Sequence, residues 1–106
     1  MSFHLTAEDI VIEDNHILKA QLRNGDDELV ESTIDLNEHL GNNGGNFHWD
    51  GENFSETAQG VHFAIEGDAD VPVLRGNLLG VDGNWDSRDL NLAERVVNNN
   101  GQFEFQ

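Results

Sequence analysis

Two asparagine-rich loops carry the most distinctive polar chemistry of this chain: Gly41-Asn42-Asn43-Gly44-Gly45 and Val97-Asn98-Asn99-Asn100-Gly101. Each primary amide offers two donors and a two-lone-pair acceptor without charge, the set needed to read several hydroxyls of a neutral sugar. Gly and Asn also tolerate left-handed turn geometry, so the same residues serve equally as turns whose amides satisfy local backbone groups. Recognition would need a second wall, and the segments that supply hydroxyls and a carboxylate are Thr6 and Asn53-Phe54-Ser55-Glu56-Thr57. Other chemistries are weaker. Asp82-Gly83-Asn84-Trp85-Asp86 has alternate oxygen ligands, but an EF-hand would need Gly and Glu where Ser87 and Ala93 stand. His4, His16, His39, His48 and His62 show no ligand spacing and read as surface or rim residues, so no metal is expected. No nucleophile elbow or phosphate-cradling glycine motif is present, and the chain is not expected to be an enzyme or to carry a cofactor.

The chain of 106 residues carries 21 acidic against 5 basic side chains, a formal charge of -16. Such a field repels phosphate backbones, and the scattered Lys19, Arg23, Arg75, Arg88 and Arg95 form no patch, so nucleic acid is not an expected partner. The absence of Cys removes disulfides, thiol chemistry and Cys-ligated zinc together. Apolar runs are a few residues long against the roughly 20 needed to cross a bilayer, so membrane insertion is not expected. The start Met1-Ser2-Phe3-His4-Leu5-Thr6-Ala7-Glu8 lacks a basic-then-apolar signal, which reads as a cytoplasmic or unconventionally exported protein.

The elements that must position these loops come in duplicate. The stretch from Ile34 to Trp49 returns 56 positions later as Leu90 to Phe105, and Leu18 to Leu22 align with Leu74 to Leu78 at the same offset. Near the repeat starts the offset is 51, matching Phe3, Thr6, Ala7 and Ile10 with Phe54, Thr57, Ala58 and Val61. Five extra residues between Phe63 and Val73 therefore enlarge a hairpin around Glu66 to Asp70. Repeats of about 50 residues are small for independent cores, so one domain with internal pseudo-twofold symmetry follows. Leu18, Ala20 and Leu22 alternate with polar neighbours as a half-buried strand, with Leu74, Gly76 and Leu78 as the counterpart. Turns at Asn24 to Asp27 and Gly80 to Gly83 precede strands through Leu29 to Ile34 and through Trp85. Asp35 and Asn91 are expected to cap short turns, and Asn46 to Trp49 and Gln102 to Phe105 to form brief strands.

With Ile34-Asp35-Leu36-Asn37 and Asn42-Asn43-Gly44-Gly45 and their second copies in view, the sequence resembles the cyanovirin-N family, in a cysteine-free fungal form. The resemblance covers nearly the whole chain. It implies an all-β domain over residues 1–106, with repeats of about 1–50 and 51–106 exchanging strands between two pseudo-symmetric lobes. Each lobe would combine a triple-stranded sheet with a β-hairpin, one lobe joining about 1–38 to 90–106 and the other holding about 39–89. A monomer is the default, and a domain-swapped dimer hinged near Trp49 to Asn53 is an implied variant.

The activity implied is noncatalytic binding of mannose-rich glycans or glycoproteins, with terminal α1,2-linked mannose preferred; a structural or protein-binding β module with decayed pockets is the alternative. Carried over by the resemblance, one site comprises Ser2, Leu5, Thr6, Arg23, Gly25 and Asp26 around Val97, Asn98, Asn99 and Asn100. The other comprises Gly41, Asn42, Asn43, Gly44, Asn53, Glu56 and Thr57, with Leu79, Val81 and Gly83 on the opposite wall. Relatives often place Asp where Gly44 and Asn100 stand, so the site that keeps a side chain, at Asn98 to Asn100, is expected to lead. Asn98 and Asn100 are read as exposed turn amides whose removal leaves the fold intact. Ala7 with Leu22, and Ala58 with Leu78, occupy positions that some relatives bridge with Cys pairs.

Overall fold

The computed structural model describes residues 3–67 and 71–106. Its strands are β1 (Ala7–Glu13), β2 (Ile17–Arg23), β3 (Leu29–Asp35), β4 (Leu40–Asn42), β5 (Phe47–Trp49), β6 (Ala58–Glu66), β7 (Val71–Leu79), β8 (Trp85–Asn91), β9 (Val96–Asn99) and β10 (Gln102–Phe105). They form two three-stranded antiparallel sheets, β1-β2-β3 and β6-β7-β8, and two hairpins, β4-β5 and β9-β10. Short 3-10 turns at Phe3–Thr6, Leu36–Glu38, Phe54–Thr57 and Leu92–Glu94 join them, and no α-helix occurs among the described residues. The all-β expectation holds. The molecule is elongated, 50 × 29 × 21 Å.

The central strands behave as their alternation requires. Leu18, Ala20 and Leu22 are buried on β2, as are Leu74, Gly76 and Leu78 on β7. A Cβ at Gly76, where the first repeat has Ala20, would stand 3.2 Å from Val61 Cγ2, a tight approach that Gly relieves. Both first strands carry a bulge, between Glu8 and Val11 and between Gln59 and His62, with left-handed Asp9 (φ 55°) and Gly60 (φ 63°) at the same repeat position. Pairing extends to Glu66 and Val71, so the extra residues lengthen both strands as well as the connection, of which Asp68 to Asp70 lie outside the described residues.

Asp35 and Asn91 cap as expected, each side-chain oxygen accepting a backbone N–H, from Asn37 and Ala93 respectively, at 2.9 Å. The loops read from sequence are more ordered than expected, because their first residues pair as β4 and β9. Three or four residues rich in Gly and Asn carry no alternation of their own; opposing β5 and β10 supply the pairing.

One contiguous core takes both copies of its principal residues: Phe3 with Phe54, Leu18 with Leu74, Leu36 with Leu92, and Leu40 with Val96. Hairpins cross between repeats. Phe103 N–H donates to Ser32 Oγ at 3.1 Å, docking β10 beside β3, and Arg88 Nε donates to Gly45 O at 2.9 Å, docking the β4-β5 hairpin on β8. Near the pseudo-axis, His39 stacks on Phe105 with centroids 4.1 Å apart, and the Arg95 guanidinium lies 4.6 Å over the same ring. His4 departs from the surface reading. It is buried with neither ring nitrogen hydrogen-bonded among the described residues, whereas the second-repeat residue at its place, Ser55, accepts from Asn37 Nδ2 at 2.7 Å. Ala93 replaces that Asn in the other copy, so the polar pair is lost there.

Candidate functional site

The two asparagine loops are two-residue hairpin turns of the same type. Gly44 and Gly45 have φ of 63° and 94°, and Asn100 and Gly101 have 52° and 89°, the paired left-handed geometry that suits a twisted hairpin and selects Asn and Gly. Behind each turn one amide ties three segments together. Asn98 Nδ2 donates to Thr6 Oγ1 (2.9 Å) and to Arg23 O (3.0 Å), while Asn98 Oδ1 accepts from Gly101 N–H (2.9 Å). Asn42 Nδ2 donates to Thr57 Oγ1 (3.0 Å) and Leu79 O (2.9 Å), and its oxygen accepts from Gly45 N–H (2.8 Å). Each hub therefore joins a hairpin, a 3-10 turn and the end of a central strand. The expectation that Asn98 is a free, exposed amide is corrected: it is half-buried and its hydrogen-bonding groups are committed inside the protein.

The clefts in front of these hubs differ. In the first, Asn100 Oδ1 accepts from Gly25 N–H at 2.7 Å, and a Cβ at Gly25 would come within 3.1 Å of that oxygen. A side chain at position 25 would crowd this approach, and the bond joins the two loops. Arg23 reaches Glu8 (3.3 Å) and Asp27 (3.2 Å) alongside it. Asn99 Nδ2 donates to Glu104 Oε2 at 2.6 Å, along its own hairpin, and Val97 stands opposite Glu104 in the register. Leu5 and Asp26 are exposed, and Asp26 N–H donates to Asn24 Oδ1. Ser2 lies outside the described residues.

In the second cleft, Gly44 and Val81 replace Asn100 and Gly25, so no such bond crosses. Val81 is 94% exposed, and its Cγ1 would lie 3.8 Å from a Cβ at Gly44. A cavity of about 410 Å³ lies against the same hairpin, lined by Gly41, Asn42, Asn43, His48, Gly51 and Glu52; of the expected site it takes in Gly41, Asn42 and Asn43, while Gly44, Asn53, Glu56, Thr57, Leu79, Val81 and Gly83 are not in its lining. Its floor depends on two glycines: a Cβ at Gly51 would sit 2.7 Å from Gly41 N, closer than a side chain permits. Sequence reasoning missed His48, Gly51 and Glu52. The signal was Gly51 itself, in the short connection after Trp49 that folds back on Gly41.

Outside that lining, Glu56 is exposed, Thr57 is fixed by Asn42, and Asn53 holds a left-handed φ of 59° with its side chain making no cap hydrogen bond. Leu79 contributes its carbonyl to Asn42, and Gly83, at φ 83°, has open space where a Cβ would stand. Asp82 closes the opposite turn on Asn84, whose backbone N–H holds the carboxyl below the usual carboxylate range. The Asp82 to Asp86 segment is thus a turn running into β8, with a strand rather than a helix following it.

Residues 3–104 match the model of the CVNH domain family. A cyanovirin-N homolog of Neurospora crassa is 47% identical over 108 residues, covering 98% of this chain and 97% of its own. Among solved structures, a designed cyanovirin-N homolog lectin superposes with a TM-score of 0.91 at 40% identity over the whole of both chains. Microvirin, solved in complex with mannobiose, superposes at 0.84 with 27% identity, covering 99% of this chain and 98% of its own.

Proposed function

The chain belongs to the CVNH family of noncatalytic carbohydrate-binding proteins, and on that premise we propose that it is a mannose-binding lectin preferring terminal α1,2-linked mannose on high-mannose glycans, with the Asn42 cleft as its leading site. The observation that carries this reading is the cavity at Gly41, Asn42, Asn43, His48, Gly51 and Glu52. Its volume falls in the lower part of the about 300–1,000 Å³ range of small-ligand sites, a size suited to a disaccharide. Glu52 in the lining accepts sugar O–H groups, and beyond the lining Glu56 can accept, the Asn53 amide can donate and accept, and Val81 can offer methyls to a sugar C–H face. The compact α1,2 linkage keeps both rings within such a cleft. Microvirin's complex with mannobiose supports the sugar class.

This ranking reverses the one expected from side-chain retention. Asn100 and Asn98 are the side chains that favoured the first site, yet both are used within the protein. A monomer with one leading site binds branched glycans without the avidity of a crosslinker. Titration of the labelled protein with α1,2-mannobiose, followed by backbone NMR, tests the proposal. The amides of Gly41 to Gly44, Glu52 to Thr57 and Val81 should shift. No shift at millimolar sugar would remove the lectin reading, and shifts confined to Leu5, Gly25 and Val97 to Asn100 would restore the first site to the lead.

A further inference from the structure

The solvent face of the sheet β6-β7-β8 has a chemistry that the corresponding face of β1-β2-β3 lacks. Cross-strand partners share a face, and because Leu74, Gly76 and Leu78 point into the core, Leu79 with Trp85 and the row Gln59, Asn77, Ser87 point outward. Trp85 is 43% exposed and lies opposite Leu79, which is half-buried. Gln59, Asn77 and Ser87 are all exposed. The equivalent places in the first repeat hold Leu29 opposite Arg23, then Glu8, Gln21 and Glu31. Three charges have therefore given way to neutral groups, and an aliphatic side chain to an indole, in a chain whose net charge is -16. At the adjoining bulge Gly60 has nothing within 4 Å of a Cβ position, where the first repeat places the Asp9 side chain. The row itself holds no carboxylate, and the exposed His62, its Nδ1 2.9 Å from Gly60 O, stands at its edge.

We propose that this face is a second carbohydrate-binding surface, separate from the Asn42 cleft, that takes a flat β1,4-linked gluco-configured oligosaccharide. Trp85 is its stacking platform, and Gln59, Asn77 and Ser87 are its hydroxyl-reading row. A pyranose with equatorial substituents presents axial C–H groups to an aromatic face, and a β1,4 chain of such rings is a ribbon that lies on a sheet. Residues two apart on one strand are about 6.8 Å apart and neighbouring strands about 4.8 Å apart, so a ring on Trp85 places the next ring over the Gln59-Asn77-Ser87 row. Arg75, the nearest cation on this face, is held by Glu66 and Asp89, which leaves the row to neutral partners. The axial O2 of mannose interrupts one flat face, which separates this ligand from that of the cleft.

The test is a pair of NMR titrations of the intact protein, one with cellotetraose and one with chitotetraose. The Trp85 indole N–H and the amides of Gln59, Asn77 and Ser87 should shift, while Gly41 to Gly44 stay in place. A response to both sugars assigns recognition to the shared ring chemistry, and a response to chitotetraose alone assigns the acetamido groups to the amide row. Trp85→Ala should weaken the tetraose about tenfold, equivalent to about 1.4 kcal/mol, while Trp85→Phe stays within about threefold. Should Trp85→Ala unfold, Asn77→Ala, at an exposed position, replaces it with the same expected direction. Absence of shifts with both tetraoses, or shifts undiminished in the variants, overturns the proposal. The α1,2-mannobiose response of Trp85→Ala should match the unsubstituted protein; a tetraose response without a mannobiose response sinks the cleft reading and leaves this one standing.

Discussion

Replacing Asn98 by Ala distinguishes an amide that builds the site from one that contacts sugar. The side chain makes three hydrogen bonds of 2.9 to 3.0 Å, to Thr6 Oγ1, Arg23 O and from Gly101 N–H, joining segments far apart in sequence. At about 0.5–1.5 kcal/mol net for each bond, with the orphaned groups only half open to water, the loss should be about 2–4 kcal/mol. For a domain near 100 residues that lowers the thermal midpoint by at least about 8 °C. Asn42→Ala repeats the experiment in the other lobe and should cost a similar amount, because its amide makes the equivalent bonds. Asn99→Ala is the control: its partner Glu104 is exposed, and the change should stay within about 0.5 kcal/mol. Urea unfolding followed by Trp fluorescence gives the free energies. An Asn98→Ala protein that unfolds at the unsubstituted midpoint, yet no longer responds to mannobiose, would refute the reasoning and return Asn98 to the ligand.

Glu56→Ala should leave stability unchanged and weaken mannobiose about tenfold or more, as expected for one charge-assisted hydrogen bond, whereas Thr57→Ala should lower both binding and unfolding midpoint because Asn42 depends on it; calorimetry paired with melting separates them. Joining Ala7 and Leu22, opposite one another in the β1-β2 register, by a Cys pair should add about 3 kcal/mol under oxidising conditions, read as a rise in urea midpoint that reductant abolishes. Arg75 holds the Glu66 carboxyl below its ordinary value of 4.5 through their hydrogen bonds, so this contact stabilises the fold above that pH and its contribution fades as pH falls through the lowered value. Arg75→Gln should accordingly lower the melting midpoint at pH 7 and flatten its decline below pH 4.5.

The central strands were legible because Leu18, Ala20, Leu22 and their copies alternate strictly, and a period of two has one reading when one face must be buried. Asp35 and Asn91 were legible as caps because their oxygens act on the backbone two residues on. The short strands β4 and β9 were not. Their pairing is imposed by the opposing strand, yet the spacing within them carried a usable signal: Asn42 and Asn98 each stand two residues beyond a buried apolar residue, Leu40 and Val96, and therefore share its inward face. Asn43 and Asn99, one residue on, face out. Residue type alone gave all four the same reading, and that is why Asn98 was placed in contact with solvent.

The symmetry also sorts scaffold from site. A residue required by the shared backbone is under the same geometric demand in both lobes, and the duplicated features are of this kind: Asn42 with Asn98, Thr57 with Thr6, and the left-handed turn glycines Gly45 and Gly101. The surfaces proposed to meet a ligand carry no such demand. There the copies part: Glu56 against Leu5, Gly44 against Asn100, Val81 against Gly25, Trp85 against Leu29. The first cleft spends its divergence on a bond from Gly25 to Asn100 that spans it, and the second leaves the same span open beside Val81. Gly44→Asn puts that argument to work, since Asn adopts the left-handed turn at small cost and its amide would stand across from Val81, whose backbone N–H is the counterpart of the Gly25 N–H but whose side chain crowds the approach, as a Cβ at Gly25 would at 3.1 Å from Asn100 Oδ1. If cleft closure in the first lobe comes from the Asn100 and Gly25 pair together, Gly44→Asn alone leaves mannobiose binding intact, and only Gly44→Asn with Val81→Gly weakens it; loss from the single substitution would show that the side chain at position 44, and not the bond across the cleft, decides which lobe binds.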